Sequence, residues 1–252
     1  MSECVETSQD SSINLFWKGR WLGYDLFSPI NWLESNRDLV NAVRAPRGGK
    51  IIDVGCGSGK GLVQNLAWIR DNGHLTASDP DPTALDFMQR VADRYGVIHQ
   101  VSFACLPAQD VRTLGYEQFD GAYAHFSMDK IGSHLLRSEA FESVASTLKP
   151  GARFAVAVPS LQFNRRALAA YIRRAEAART DLSWIVKGLR GRIISALTLY
   201  FNRKVDANFT AGIFHRYSKE ELIDYFERAG FGEVEIRHID GMNAFHAVGV
   251  KR

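Results

Sequence analysis

Three glycines at alternate positions, Gly55, Gly57 and Gly59, follow the apolar run Ile51-Ile52-Asp53-Val54. Glycine lets a backbone turn sharply and approach a ligand at a distance that any Cβ would block. A helix opening behind such a loop adds free N–H groups and the positive end of its dipole, both suited to an anionic group. Twenty residues beyond Gly59 stands Asp79, in Ala77-Ser78-Asp79-Pro80. A carboxylate at that place can accept two hydrogen bonds from a ribose diol, the logic of nucleoside sites in doubly wound sheets. A dinucleotide fingerprint would read G-x-G-x-x-G, and counted from Gly55 its third glycine falls on Lys60. That mismatch disfavours a nicotinamide enzyme.

The elements that must position these residues alternate in type. After the punctuation Ala45-Pro46-Arg47-Gly48-Gly49, residues 50–54 read as a strand and 59–70 as a helix. A second strand at 73–78, a helix at 82–95, and strands at 97–104 and 119–126 follow. The helix expected over 135–148 ends at the stop signal Lys149-Pro150-Gly151, and the apolar run 153–158 reads as a strand buried on both faces. This alternation predicts a parallel sheet with helices on both sides. Ser218 with Glu221 forms a capping box for a helix that runs to Ala229 and stops at Gly230. Residues 234–239 and 244–250 close the chain as strands joined through Asp240-Gly241, a link too short for anything but an antiparallel pair. Upstream, residues 13–43 read as helical pieces broken near Pro29, rich in Trp17, Trp21, Tyr24, Phe27 and Trp32.

The pattern Asp53-x-Gly-x-Gly-x-Gly, the acid Asp79 and this succession of strands resemble the class I S-adenosylmethionine-dependent methyltransferases, over roughly residues 50–252. The resemblance implies an α/β fold, a doubly wound seven-stranded sheet in the order 3-2-1-4-5-7-6 with strand 7 antiparallel. It implies an N-terminal helical lid over residues 1–45 and a methyltransferase domain over 46–252, with a basic helical insertion at about 161–210 after strand 5. S-adenosylmethionine is the implied cofactor. Gly55, Cys56, Gly57 and Gly59 would line its methionine moiety, with Asp53 turned towards the ammonium group. Asp79 would hold the ribose hydroxyls and Pro80 would pack beside the adenine. The acid that often follows strand 3 in the family is replaced here by Pro107, next to Ala108, so the adenine amino contact passes to a backbone carbonyl, Gln109 or Asp110. His125, at the end of strand 4, would face the sulfonium and the substrate. Tyr24-Asp25 resembles the tyrosine–aspartate pair of small-molecule and quinone methyltransferase lids, and aromatic packing accounts for it equally well. His215-Arg216-Tyr217 sits where the family often lines its substrate pocket.

Methyl transfer to a hydroxyl or ammonium group needs a proton acceptor, and histidine is the side chain suited to that near neutral pH. His125 and His215 head the candidates, with Tyr24 beside them. The other histidines (74, 99, 134, 238 and 246) form no constellation and read as structural. No Asp/Asn cluster follows strand 5, so a metal-dependent catechol site is absent and no metal is expected. After strand 4, His125-Phe126-Ser127 stands where nucleic-acid amino methyltransferases carry Asn/Asp-Pro-Pro-aromatic, and the paired glutamates of arginine methyltransferases are missing too. A small-molecule substrate is expected, not nucleic acid. Two alternatives stay open: a cofactor-binding regulatory protein without turnover, and a nucleotide-cofactor enzyme on a similar sheet.

The composition, 46% hydrophobic and 23% charged over 252 residues, belongs to an ordinary globular chain. Three cysteines (Cys4, Cys56 and Cys105) are too few for a disulfide framework or a zinc cluster, and with a polar N-terminus they point to the cytoplasm. Net charge is only +3, yet residues 165–204 hold ten Lys/Arg against Glu176 and Asp181, a surplus of eight that leaves the rest of the chain five negative. From Leu182, the residues Ile185, Val186, Leu189, Ile193, Ala196, Leu197 and Tyr200 fall on one helical stripe, with Trp184 and Ile194 off it. The insertion reads as a cap over the active site, or as a basic surface for an anionic or lipid-like substrate, an acidic carrier or a membrane surface.

Overall fold

A computed structural model describes residues 30–178, 184–239 and 241–252, and Tyr24 lies outside them. Helix α1 (Ile30–Val43) leads into β1 (Lys50–Val54), α2 (Lys60–Arg70), β2 (His74–Ser78), α3 (Pro82–Arg94), β3 (Val101–Ala104) and β4 (Phe119–His125). Then come α4 (His134–Thr147), β5 (Leu148–Pro159), α5 (Arg165–Ala178), α6 (Trp184–Thr210), α7 (Lys219–Arg228), β6 (Phe231–Ile239) and β7 (Ala244–Lys251). The seven strands form one sheet in the order β3-β2-β1-β4-β5-β7-β6. Only β7 runs antiparallel to its neighbours. The order is the one the family resemblance implies, and the reversed last strand is the one the short closing link predicts.

Local chemistry sets the ends of several elements. The Asp81 carboxylate accepts from the Thr83 amide at 2.9 Å and Pro82 opens α3, so an orphan donor is capped where proline's missing N–H costs nothing. Ser218 accepts from the Glu221 amide at 3.1 Å and starts α7. Alternate residues of the central strands feed two cores. Ile51, Tyr123, Ala155 and Ala157 pack under α1, α2, α3 and the insertion, with Leu39, Leu62, Met88, Leu168 and Ile194. Ile52, Ala122, Val156 and Ala247 pack under α4 and α7, where Phe141 stacks on Tyr225 with ring centroids 5.3 Å apart.

Three expectations are corrected. The third strand starts only at Val101, because Ile98–Gln100 forms a 3-10 turn ahead of it. β5 begins at Leu148, so Lys149-Pro150-Gly151 lies inside the strand. Its pairing jumps from Phe119↔Leu148 to Gly121↔Arg153, an irregularity that accommodates a proline without N–H and a glycine at φ +80°. The insertion is two helices, and the face of α6 turned inwards is not the expected stripe. Ile194 and Ser195 are buried while Leu189 (59%), Ile193 (43%) and Tyr200 (69%) are exposed. Gly191 lies at the contact with α5, where a Cβ would sit at van der Waals distance, 3.5 Å, from Glu176 Cβ. The same contact buries Glu176 fully, with Arg190 Nε donating to it at 3.0 Å.

Candidate functional site

β1, β2 and β4 end together on one side of the sheet, and their loops interlock. Gly55, Gly57 and Gly59 have φ of +74°, +49° and +76°, the left-handed region that any side chain would strain. The Gly55 and Cys56 amides both donate to Ser78 O, at 2.7 and 3.0 Å, and the Gly59 amide donates to Cys56 O at 3.0 Å. The Gly57 amide donates to Asp79 Oδ2 at 2.9 Å. These four N–H groups are therefore satisfied within the protein. The glycines shape the loop and allow close approach; they do not form a ring of donors. Ser127, just after β4, donates to Val54 O at 2.6 Å and packs so closely on Gly55 that a Cβ there would collide with it.

Two carboxylates flank this loop. Asp79 is buried and accepts from the Gly57 and Asp81 amides, each at 2.9 Å and each on a different oxygen. One lone-pair direction per oxygen thus stays available for a ligand. Burial raises its pKa to about 6 in spite of those two bonds. Asp53 is also buried, and its pKa is raised to about 7 by burial, against the hydrogen bond from Tyr123 and with a contribution from the charge of Asp79. Tyr123 OH donates to Asp53 Oδ2 at 2.9 Å and accepts from Asn65 at 3.1 Å. Among the described residues no basic side chain pairs with Asp53 or Asp79. The hydroxyl of Ser58, in the same loop, is buried without a partner. Buried acids lacking a cation suit a ligand that brings an ammonium group and hydroxyl donors.

The remaining expected residues fall into three places. Pro80 follows Asp79 directly. Pro107 and Ala108 open a 3-10 turn whose approach is tied to β2, because the Asp79 amide donates to Ala104 O at 3.2 Å and Ser78 Oγ donates to Leu106 O at 2.9 Å. Cys56 is a buried free thiol, and burial with the charges of Asp79 and Asp53 pushes its pKa well up, so it stays protonated. His125 ends β4 beneath Trp32 of α1, edge-on at 4.9 Å, and Phe126, edge-on at 4.8 Å. Phe126 itself holds φ +50°, a strained backbone at the point where β4 turns towards the glycine loop. His215 makes its bonds elsewhere: Nε2 lies 2.8 Å from both Glu221 oxygens and its amide donates to Asp129 O at 2.8 Å.

Tyr123, Gly61, Ser35 and His246 escaped sequence reasoning. Tyr123 pairs with Asp53 in the β1–β4 register, so strand order could have pointed to it. Gly61 has no such signal; a Cβ there would run into Tyr123 OH and the Asp53 carboxylate. Tyr123→Phe deletes the hydrogen bond that steadies the Asp53 carboxylate. The expected result is a further rise of its pKa and a loss of ligand affinity of about tenfold or more, read by calorimetry.

Residues 51–151 match the family described as "Methyltransferase domain". Over those residues the chain is similar to a methyltransferase domain. It is 32% identical over 121 residues to the O-methyltransferase rstn1 of Aspergillus nomiae, a match covering 48% of this chain and 51% of that protein. The chain thus spans about half the length of the curated relatives it matches. The methyltransferase fold extends across the described elements. A 1,6-didemethyltoxoflavin-N1-methyltransferase from Burkholderia thailandensis, solved with S-adenosylhomocysteine, superposes with a TM-score of 0.60 at 13% identity, covering 100% of this chain and 93% of that one. A geranyl diphosphate C-methyltransferase from Streptomyces coelicolor, also with S-adenosylhomocysteine, gives 0.58 at 12% identity, covering 87% and 76%.

Proposed function

We propose that the chain is an enzyme that moves a methyl group from S-adenosylmethionine to an oxygen, nitrogen or carbon nucleophile of a small molecule. One observation carries this reading: Asp53 and Asp79 are buried without a basic partner among the described residues, on either side of a left-handed glycine loop. The cofactor, when bound, supplies the electrophilic methyl group. Asp53, steadied by Tyr123, is suited to hold its ammonium group. Asp79 is suited to take the ribose hydroxyls while still fastening the loop through Gly57. Pro80, Pro107 and Ala108 would pack against the adenine. His125 is the group we assign to the acceptor's proton, because burial, His246 and Lys130 hold its pKa well below the usual imidazole range and keep it neutral at pH 7. His215, bound to Glu221, is the second candidate base.

Parallel calorimetric titrations with S-adenosylhomocysteine and with NADH test the assignment. The first should bind and the second should not. Asp79→Ala should weaken S-adenosylhomocysteine by about 1.5–3 kcal/mol, the worth of hydrogen bonds to a charged acceptor. Binding of NADH alone would favour the nucleotide-cofactor enzyme. Binding of S-adenosylhomocysteine with no methyl uptake by any component of a metabolite extract would favour the regulatory protein.

For the partner of the insertion, we infer contact with an anionic lipid surface. Leu189, Ile193, Ala196 and Tyr200 are exposed along one face of α6, with Arg192, Arg203 and Lys204 exposed beside them. An apolar stripe among basic residues suits a helix lying in a membrane interface. No described helix is long and apolar enough to cross a membrane. Arg190 is the wrong residue to reverse, since it neutralises buried Glu176. Arg192→Glu with Arg203→Glu should instead weaken sedimentation with anionic vesicles and flatten its salt dependence, leaving S-adenosylhomocysteine affinity unchanged. Unaltered vesicle binding would leave an acidic carrier, or no partner, for this face.

A further inference from the structure

A serine joins two histidines on the sheet face beneath α1. Ser35 is 2% exposed, and its Oγ lies 3.1 Å from His125 Nε2 and 2.9 Å from His246 Nε2. The geometry follows from strand register. His125 pairs with Ala157 across β4–β5, and Ala157 pairs with His246 across β5–β7, so all three side chains rise from the same face. Two strand spacings separate the histidines, roughly 9–10 Å, and the methyl group of Ala157 leaves the gap between them open. Ser35 fills that gap from above. Trp32 and Phe126 hold the His125 ring edge-on and fix its direction.

A hydroxyl that bridges two neutral imidazoles with its one proton makes them unequal. Both rings cannot accept that single proton, so where Ser35 donates to one ring at Nε2 the other donates its Nε2–H to Oγ. Both rings are neutral at pH 7. Burial, His246 and Lys130 keep His125 far down, and burial and Arg237 hold His246 near 4 against the upward pull of Asp38 and of a hydrogen bond to the Ser35 backbone. Of these charged neighbours Asp38 is the carboxylate; it lies one turn beyond Ser35 on α1 with its side chain 62% exposed. His125 Nδ1 has no hydrogen-bond partner among the described residues.

We propose that His125, Ser35 and His246 form a proton path from the end of β4 to the protein surface. His125 is the group that meets the acceptor, and Ser35 and His246 are positioning residues. The path rests on the methyl-transfer reading above. As the acceptor's O–H or N–H bond breaks, His125 Nδ1 gains the proton. The Nε2–H bond of His125 breaks as Ser35 Oγ takes that proton, and the former serine proton forms a new N–H bond at His246 Nε2. One proton enters and one is delivered, and the positive charge ends beside Asp38, from which it passes to water. His125 is left neutral in the opposite tautomer, with Nδ1–H and a bare Nε2, and the three groups return to their starting tautomers by proton exchange with water between turnovers.

Long-range proton–nitrogen NMR of the full chain reads the tautomers directly. The expected result is opposite tautomers at pH 7, with His125 carrying its proton on Nε2 and His246 on Nδ1, and a joint response of both rings to acid. Ser35→Ala should split that response into two separate midpoints, and Ser35→Thr, which keeps the hydroxyl, should restore it. His246→Gln provides a second break in the path, expected to shift the His125 tautomer ratio. Nε2–H on both rings of the wild type would overturn the proposal, because Ser35 would then only accept. So would opposite tautomers and joint titration that persist in Ser35→Ala. Calorimetry with S-adenosylhomocysteine on the same wild-type sample separates the two readings. Absent binding removes methyl transfer and the path's role with it, whereas equal tautomers with intact binding remove the path alone.

Discussion

Affinity for S-adenosylhomocysteine should rise steeply with pH and level off just above pH 7. In the free protein Asp53 titrates near 7 and Asp79 near 6, both raised chiefly by burial. The two are coupled through the Asp79 charge, so the pair titrates together. An ammonium group beside Asp53 and hydroxyl donors on Asp79 favour the charged carboxylates, which lowers both pKa values in the complex. Below those values each acid must release a proton before it can serve the ligand, and each costs about tenfold per pH unit. Between pH 7.5 and pH 5 the loss should reach up to about 10³-fold, two decades from Asp53 and one from Asp79. Asp53→Asn should remove both of its decades and leave only the single decade of Asp79, below pH 6. Calorimetry across this range is the measurement, and a flat profile would mean that neither acid touches the ligand.

His125→Ala should lower turnover by about 10²–10⁴-fold, the usual worth of a positioned proton acceptor. The ring ends β4, two residues before Ser127, whose side chain packs on Gly55. S-adenosylhomocysteine affinity should change far less, since Asp53, Asp79 and the loop remain in place. The substrate comes from a labelled-methyl screen, and the variant is compared by its split of kcat from KM. In the wild type the rate should not fall through titration of His125 until the pH is well below the usual imidazole range, because the free base is already the neutral-pH form. An unchanged kcat would pass the role to His215 and its Glu221 partner.

Much of the site was open to sequence reasoning because backbone chemistry leaves local marks. Positive φ at Gly55, Gly57 and Gly59 demands glycine, and Asp79 directly follows β2, twenty residues beyond Gly59. Strand alternation and the short Asp240-Gly241 link likewise determined the class of sheet and the reversed last strand, as β7 confirms. Other features depend on which residues meet, and that is set by register and helix rotation. The acceptors of the glycine-loop amides, Ser78 O and the Asp79 carboxylate, sit at the end of β2 and could not be read from the loop itself. The apolar stripe on α6 looked buried, but α6 meets α5 at Gly191 and the Glu176–Arg190 pair, and neither contact has a periodicity to read. His246 looked structural because 121 residues separate it from His125 and 211 from Ser35. Only the pairing of β4 with β5, and of β5 with an antiparallel β7, sets the two rings on one face under a single serine. Chain-local constraints of backbone and hydrophobic period are written in the sequence. The contacts that give neighbouring groups their charge state and their partners exist only once strands and helices have packed.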